Sequence, residues 1–230
     1  MGARATFFDF GGTLCHSRAD VLPIFQEAAR RAGADVPWDE YLRANEECWG
    51  QLWPQAPQLV GSRPAFADRV HEMALRSIGF DGPTELFVQY IREEATSARW
   101  HQPFPEVETT LGRLRRAGTP LHIISGHVDY LPAIIANLGW SDLFDTVTFT
   151  QEVGVQKPDP RVFRFALSKA GLDPADSVYV GDSWEADYLG ARNVGMPAVW
   201  LNRAGAPAPG PCREIRTLED LDRSLTDPSS

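Results

Sequence analysis

The chain has 230 residues, a hydrophobic share of 43% and a charged share of 23%, values ordinary for a folded globular protein and unlike those of disordered or fibrous chains. Its formal net charge of −9 argues against nucleic acid and anionic membrane as partners, because both demand a basic face. Cys15, Cys48 and Cys212 are odd in number, widely spaced and without a CxxC pair, which fits reduced thiols rather than a disulfide framework or a zinc site.

In chain order, the first β-rich apolar run is Ala5–Phe10. It comes too early to leave room for a secretory signal, and no apolar run nears the roughly 20 residues that cross a bilayer, so a cytoplasmic protein without membrane attachment is expected. The run leads through Phe8-Asp9-Phe10-Gly11-Gly12-Thr13-Leu14. A carboxylate at the exit of an apolar strand, followed by two glycines, stands at an open edge where the backbone turns sharply. On this segment alone, Asp9 as a turn cap and Asp9 as a nucleophile or metal ligand are equally good readings.

From about residue 17 to 98 the pattern is helical, with Pro37, Pro54, Pro57 and Gly61-Ser62 as breakers. This predicts an inserted helical cap domain over 17–98, acting as a lid. Trp38, Trp49 and Trp53 fit helical packing better than an aromatic clamp. Arg63, beside Gly61 and Ser62, is the candidate substrate contact of the cap.

Helices and strands then alternate. Pro105–Ala117 is a helix ending at Gly118, Leu121–Ser125 a strand, Val128–Leu138 a helix ending at Gly139, and Thr146–Thr150 a strand. Asp159-Pro160 caps a helix that runs to Gly171; Ser177–Gly181 is a strand, Trp184–Asn193 a helix, and Ala198–Leu201 a strand. Pro207 to Pro211 reads as a surface loop, and Thr217 as the cap of a last short helix. The alternation predicts an α/β fold, a Rossmann-like parallel five-stranded sheet core over 1–16 and 99–230, with ligands at the carboxyl ends of its strands.

Chemistry-bearing residues fall at those ends. Ser125 closes one strand, Lys157 precedes the capped helix, and Gly181-Asp182 through Asp187 places one carboxylate at a strand end and a second five residues on. Crowded carboxylates need a neutralising cation, and Mg2+ suits carboxylate, carbonyl and water oxygens.

Four motifs in order, DxxGT at Asp9–Thr13, the strand-terminal Ser125, Lys157, and GDxxxxD at Gly181–Asp187, together make the core resemble the haloacid dehalogenase (HAD) superfamily. The resemblance implies a Mg2+-dependent phosphatase acting on a small phosphorylated metabolite, with Asp9 forming an aspartyl phosphate. It implies metal held by Asp9, Asp182 and the Gly11 carbonyl, with Asp187 as ligand or support, while Ser125 and Lys157 hold the phosphoryl group. Gly12, Thr13, Gly126 and His127 are the neighbouring residues expected to line the substrate.

One position departs from the pattern. Phosphatases of this family usually carry a second aspartate two residues after the nucleophile, and here that residue is Gly11. A general acid is typically worth about 10² to 10⁴ in rate. Three readings follow: a phosphatase whose leaving group is already acidic or whose acid comes from elsewhere, for which His127 and His16 are candidates; a metal-independent 2-haloacid dehalogenase-type hydrolase, with Arg63 or Arg43 for a carboxylate; and a catalytically weakened binding protein. A phosphonate-cleaving route through a cap lysine is disfavoured, because residues 17–98 contain no lysine.

Overall fold

A computed structural model describes residues 5–17, 22–33 and 35–221. In chain order the elements are β1 (Ala5–Phe8), β2 (Cys15–Ser17), α1 (Leu22–Arg31), α2 (Trp38–Leu52), α3 (Phe66–Ser77), α4 (Thr84–Ala95), β3 (His101–Pro103) and α5 (Val107–Arg116). There follow β4 (Leu121–Ser125), α6 (Leu131–Asn137), β5 (Thr146–Phe149), α7 (Pro160–Ala170), β6 (Ser177–Gly181), α8 (Gly190–Arg192), β7 (Ala198–Leu201) and β8 (Glu214–Ile215). The chain divides into two compact units, Met1–Ser17 with Gln102–Gly126 and Trp140–Ser230, and Arg18–His101 with His127–Gly139. Among the described residues, no helix is long and apolar enough to cross a membrane.

The first unit is built on a parallel sheet in the order β5-β4-β1-β6-β7-β8. β1 lies at its centre, with Phe8 in register with Ile123 on one side and Val180 on the other. All four residues of β1 are buried, as a strand covered on both faces requires. The chain builds outward from β1 first through β4 and β5 and then through β6, β7 and β8. The order therefore reverses at β1, which makes the carboxyl ends of β1, β4 and β6 the topological switch point. α7 covers one face, setting Val162, Phe163 and Ala166 against Phe7, Tyr179 and Ile124 in one buried cluster. A fully buried side chain the size of Phe163 contributes about 1.5–3 kcal/mol through removal of apolar surface from water.

The sheet has six strands where the sequence pattern predicts five. The sixth, β8, is two residues long and pairs Glu214 and Ile215 with Trp200 and Leu201. So short a strand offers no alternation to read, and the tertiary pairing alone defines it. The helix expected over Trp184–Asn193 opens as a π-helical turn, Trp184–Leu189, before tightening into α8. α7 follows its sequence signals: the Asp159 side chain accepts from Arg161 N at 2.9 Å, and Gly171 closes the helix at φ 68°. Thr217 caps the short turn Leu218–Asp220.

The second unit packs α1 against α4, α2 against α3, and α3 against α4. Tyr41, Phe66 and Phe87 are fully buried at its centre. Trp38 stacks on Phe25 at 6.2 Å, while Trp49 and Trp53 stack at 6.1 Å and both meet Phe66 edge-on. Residues 127–139 join this unit through polar contacts. The buried Asp68 accepts from the Tyr130 hydroxyl and from Arg92, each at 2.6 Å, and Asn137 donates to the Thr96 carbonyl at 2.8 Å.

Candidate active site

Asp9 follows β1 directly, and its N–H donates to the Val180 carbonyl at 2.9 Å, extending the β1–β6 ladder by one residue. The side chain is therefore delivered to the switch point by the central strand. Asp182 follows β6 in the same way, and Ser125 is the last, buried residue of β4.

Lys157 ties these strand ends together. Its Nζ donates to Asp9 Oδ1 and to Asp187 Oδ1, both at 2.6 Å, and also lies 3.1 Å from the Tyr179 hydroxyl and 3.3 Å from the Ile124 carbonyl. The three ionic side chains are 7%, 8% and 2% exposed, so the charges meet largely out of water, where Coulomb attraction is strong. The other Asp187 oxygen accepts from Ser183 N at 3.1 Å. The π-helical turn explains why Asp187 reaches inward: Tyr188 N–H returns five residues to the Ser183 carbonyl, a wider loop than an α-turn.

Glycines permit this crowding. A Cβ on Gly12, which sits at φ 80°, would run into the Asp182 carboxylate, and one on Gly181 would lie 2.5 Å from Asp187 side-chain atoms. By contrast, a Cβ on Gly11 would meet nothing within 4 Å. Thr13 donates to Asp182 Oδ1 at 3.3 Å, and Trp200 Nε1 donates to the Asp182 carbonyl at 2.8 Å.

Asp9, Asp182 and Asp187 each offer a carboxylate oxygen, and these lie within 4.8 Å of one another. Burial lifts the Asp9 carboxyl from its ordinary 3.8 to about 7, against the pull of Lys157. Burial and then the Asp187 charge raise Asp182 as well. Burial also works against the Lys157 ammonium, but Asp9 and Asp187 outweigh it and hold the lysine charged, above its ordinary value. One ammonium among three carboxylates leaves the cluster short of positive charge. An all-oxygen donor set of this kind fits a hard divalent cation.

The structure thus brings Asp9, Lys157, Asp182, Asp187, Gly12 and Thr13 together, with Ser125 ending the strand whose Ile124 carbonyl meets Lys157. Gly11 and Gly126 are exposed in the turns after β1 and β4. His127 and Arg63 belong to the second unit. There the half-buried His127 ring meets His101 edge-on at 5.5 Å, and Arg63 is exposed in the bend before α3. Sequence reasoning missed Tyr179 and Arg203. Tyr179 is fully buried and its hydroxyl donates to Asp187 at 2.9 Å. A tyrosine inside the otherwise apolar β6 was a signal, since a buried phenol needs a partner.

A parallel sheet with an acid cluster and one buried lysine at its switch point places the chain among α/β proteins whose polar site lies at the carboxyl ends of the strands. A family model for haloacid dehalogenase-like hydrolases matches residues 3–195. Phosphoserine phosphatase of Thermus thermophilus is 33% identical over 187 residues, 79% of this chain and 74% of that protein. An (S)-2-haloacid dehalogenase of a Pseudomonas species is 38% identical over 105 residues, 45% of this chain and 44% of that one. The crystal structure of a HAD phosphatase from Thermococcus onnurineus superposes with a TM-score of 0.65 at 25% identity, covering 97% of this chain and 98% of the other. The chain belongs to the haloacid dehalogenase-like hydrolase family and is a hydrolase.

Proposed function

We propose that this hydrolase is a Mg2+-dependent phosphatase of small phosphorylated metabolites that works through an aspartyl phosphate on Asp9. The observation that carries the reading is the Lys157 ammonium, 2.6 Å from Asp9 Oδ1 inside a cluster of three carboxylates. A carboxylate so placed is oriented for in-line attack, and the lysine offsets repulsion between it and an incoming phosphate.

Asp9 attacks phosphorus, the bond from phosphorus to the ester oxygen breaks, and the leaving oxygen keeps the electron pair. Water then cleaves the acyl phosphate, releasing inorganic phosphate and restoring Asp9. Asp9, Asp182 and the Gly11 carbonyl are the groups that would hold magnesium. Asp187 orients Lys157 from behind, since both its oxygens already accept protein hydrogen bonds. A bound magnesium supplies electrostatic stabilisation to the phosphoryl oxygens. Ser125 at the end of β4, with Gly12, Thr13 and Gly126 on the turns beside it, would receive the phosphoryl group; Arg63 is the substrate contact proposed for the cap, residues 17–98, and His127 one proposed beside Gly126. With glycine at position 11, the leaving oxygen takes its proton from water, so acyl and aryl phosphates are the favoured substrates.

The open Gly11 position and the partial match to a dehalogenase favour a second reading, displacement of halide from a 2-haloacid by Asp9. One assay separates them. Phosphate release from acetyl phosphate and para-nitrophenyl phosphate that needs Mg2+ and disappears in Asp9→Asn supports the phosphatase. Chloride release from 2-chloropropionate in EDTA supports the dehalogenase, and inertness in both arms refutes both.

A further inference from the structure

Arg203 lies in the turn after β7, far in sequence from the loop that follows Asp9, yet its guanidinium is committed to that loop. Nε donates to the Gly12 carbonyl at 3.3 Å and Nη2 to the Thr13 carbonyl at 2.8 Å, while Nη1 pairs with Glu106 at 2.7 Å. The guanidinium plane rests over the Phe104 ring, 3.7 Å from its centroid, and Phe104 N–H in turn holds the Leu14 carbonyl at 3.1 Å. The turn bearing Arg203 is itself braced: Asn202 donates to the Ala206 carbonyl and to Glu214, and its own N–H bonds the Ile215 carbonyl. Every partner lies in the first unit.

A planar fork on two successive carbonyls fixes two peptide planes at once, which a flexible ammonium cannot do. In a trans peptide the carbonyl and the next N–H point in opposite directions. Holding the Gly12 and Thr13 carbonyls therefore also sets the N–H groups of Thr13 and Leu14, the latter donating to the Phe10 carbonyl at 2.9 Å. The same restraint presents the Thr13 hydroxyl to Asp182 Oδ1 and keeps Gly12 at the left-handed conformation that clears the Asp182 carboxylate.

We propose that Arg203 is a positioning residue of this site, which sets the Gly12–Thr13 peptides so that Asp182 is held in place for the metal. It acts through the loop and touches none of the reacting groups. The inference rests on the phosphatase reading above for its consequence on rate, but not for its consequence on the loop.

The test uses Arg203→Met, which keeps the apolar stem on Phe104 and removes the donors, and Arg203→Lys, which keeps the charge opposite Glu106. Four measurements are made: steady-state kcat and KM with para-nitrophenyl phosphate, the Mg2+ dissociation constant by calorimetry, amide exchange of the 10–16 peptide, and the melting temperature, which Arg203→Met should lower. Arg203→Met should lower kcat at least tenfold with KM within twofold, weaken Mg2+ at least threefold, and speed exchange of that peptide more than that of β4. Arg203→Lys should restore the melting temperature without restoring kcat. A folded Arg203→Met with wild-type exchange and Mg2+ affinity overturns the proposal, as does full rescue of kcat by lysine, which would mark a plain ion pair. If the wild-type protein releases no phosphate, the functional reading falls, while exchange and Mg2+ binding still decide the role of Arg203.

Discussion

Lys157→Met is the sharpest perturbation that the geometry allows. It removes the one ammonium that meets Asp9 and Asp187 at 2.6 Å each, and leaves two carboxylates, 8% and 2% exposed, without that partner. Breaking a buried pair from one side costs about 3–5 kcal/mol because the remaining charge is uncompensated. The Asp9 carboxyl gives a similar scale: burial already lifts it from 3.8 to about 7 with the lysine present, and each pKa step of one corresponds to about 1.4 kcal/mol. The sign with pH is fixed by the direction of that shift. A carboxyl raised in the fold binds its proton more tightly there than in the unfolded chain, so its stabilising contribution is complete below about pH 3.8 and is lost as pH rises past the folded value. Removing Lys157 raises the folded value further. The variant should therefore lose about 3–5 kcal/mol relative to wild type at pH 8 in EDTA, and clearly less at pH 5.5. Urea denaturation at the two pH values measures both. A loss below about 1 kcal/mol at pH 8, the level of an exposed pair, or a deficit unchanged at pH 5.5, refutes the argument that Lys157 is the buried counter-charge.

Gly12→Ala should fold but lose at least a hundredfold in kcat and bind Mg2+ weakly, because a left-handed backbone costs an L-residue about 1–2 kcal/mol and the new methyl displaces the Asp182 carboxylate; steady-state kinetics and calorimetry read both. Gly11→Asp has open space around its Cβ and installs an acid beside Asp9, so hydrolysis of alkyl phosphates, whose leaving groups need a proton, should rise about tenfold or more, with acetyl phosphate unaffected. In the second unit, burial holds His71 from 6.5 down to about 4, where its Nδ1 accepts from the Tyr41 hydroxyl at 2.7 Å. The unfolded chain takes up that proton first, so stability should fall from pH 6.5 toward pH 4, and His71→Gln should flatten that slope in acid denaturation of the full chain.

What the sequence reveals most clearly is the position of strand ends. Leu121–Ser125, Ser177–Gly181 and Ala198–Leu201 are strands at the limits that their composition marks, because a parallel strand buried on both faces is predominantly apolar and its end is marked where polar or turn-forming residues take over. Asp9, Lys157 and Asp182 were legible for the same reason, each ending an apolar run or preceding a capped helix, and Asp187 by its spacing of five residues from Asp182. Tyr179 and Arg203 were not. Their partners lie in remote segments, Ile124 for one and Gly12 with Glu106 for the other; the phenol of Tyr179 signals only that some partner is needed, and nothing local distinguishes Arg203 from an ordinary surface arginine. The π-helical opening of Trp184–Leu189 escapes pattern reading too, since one residue of extra winding is set by where Asp187 must reach and not by propensity.

The chain contains only two lysines, Lys157 and Lys169, and the fold gives them opposite fates. The first is sealed between carboxylates that keep it protonated, and is therefore a poor nucleophile, whereas Lys169 is 34% exposed on the flank of α7. Amine-directed crosslinkers and acylating dyes should thus find a single reactive side-chain amine among the described residues. A surface-immobilised or fluorescently tagged enzyme could be prepared through Lys169 with its chemistry left intact.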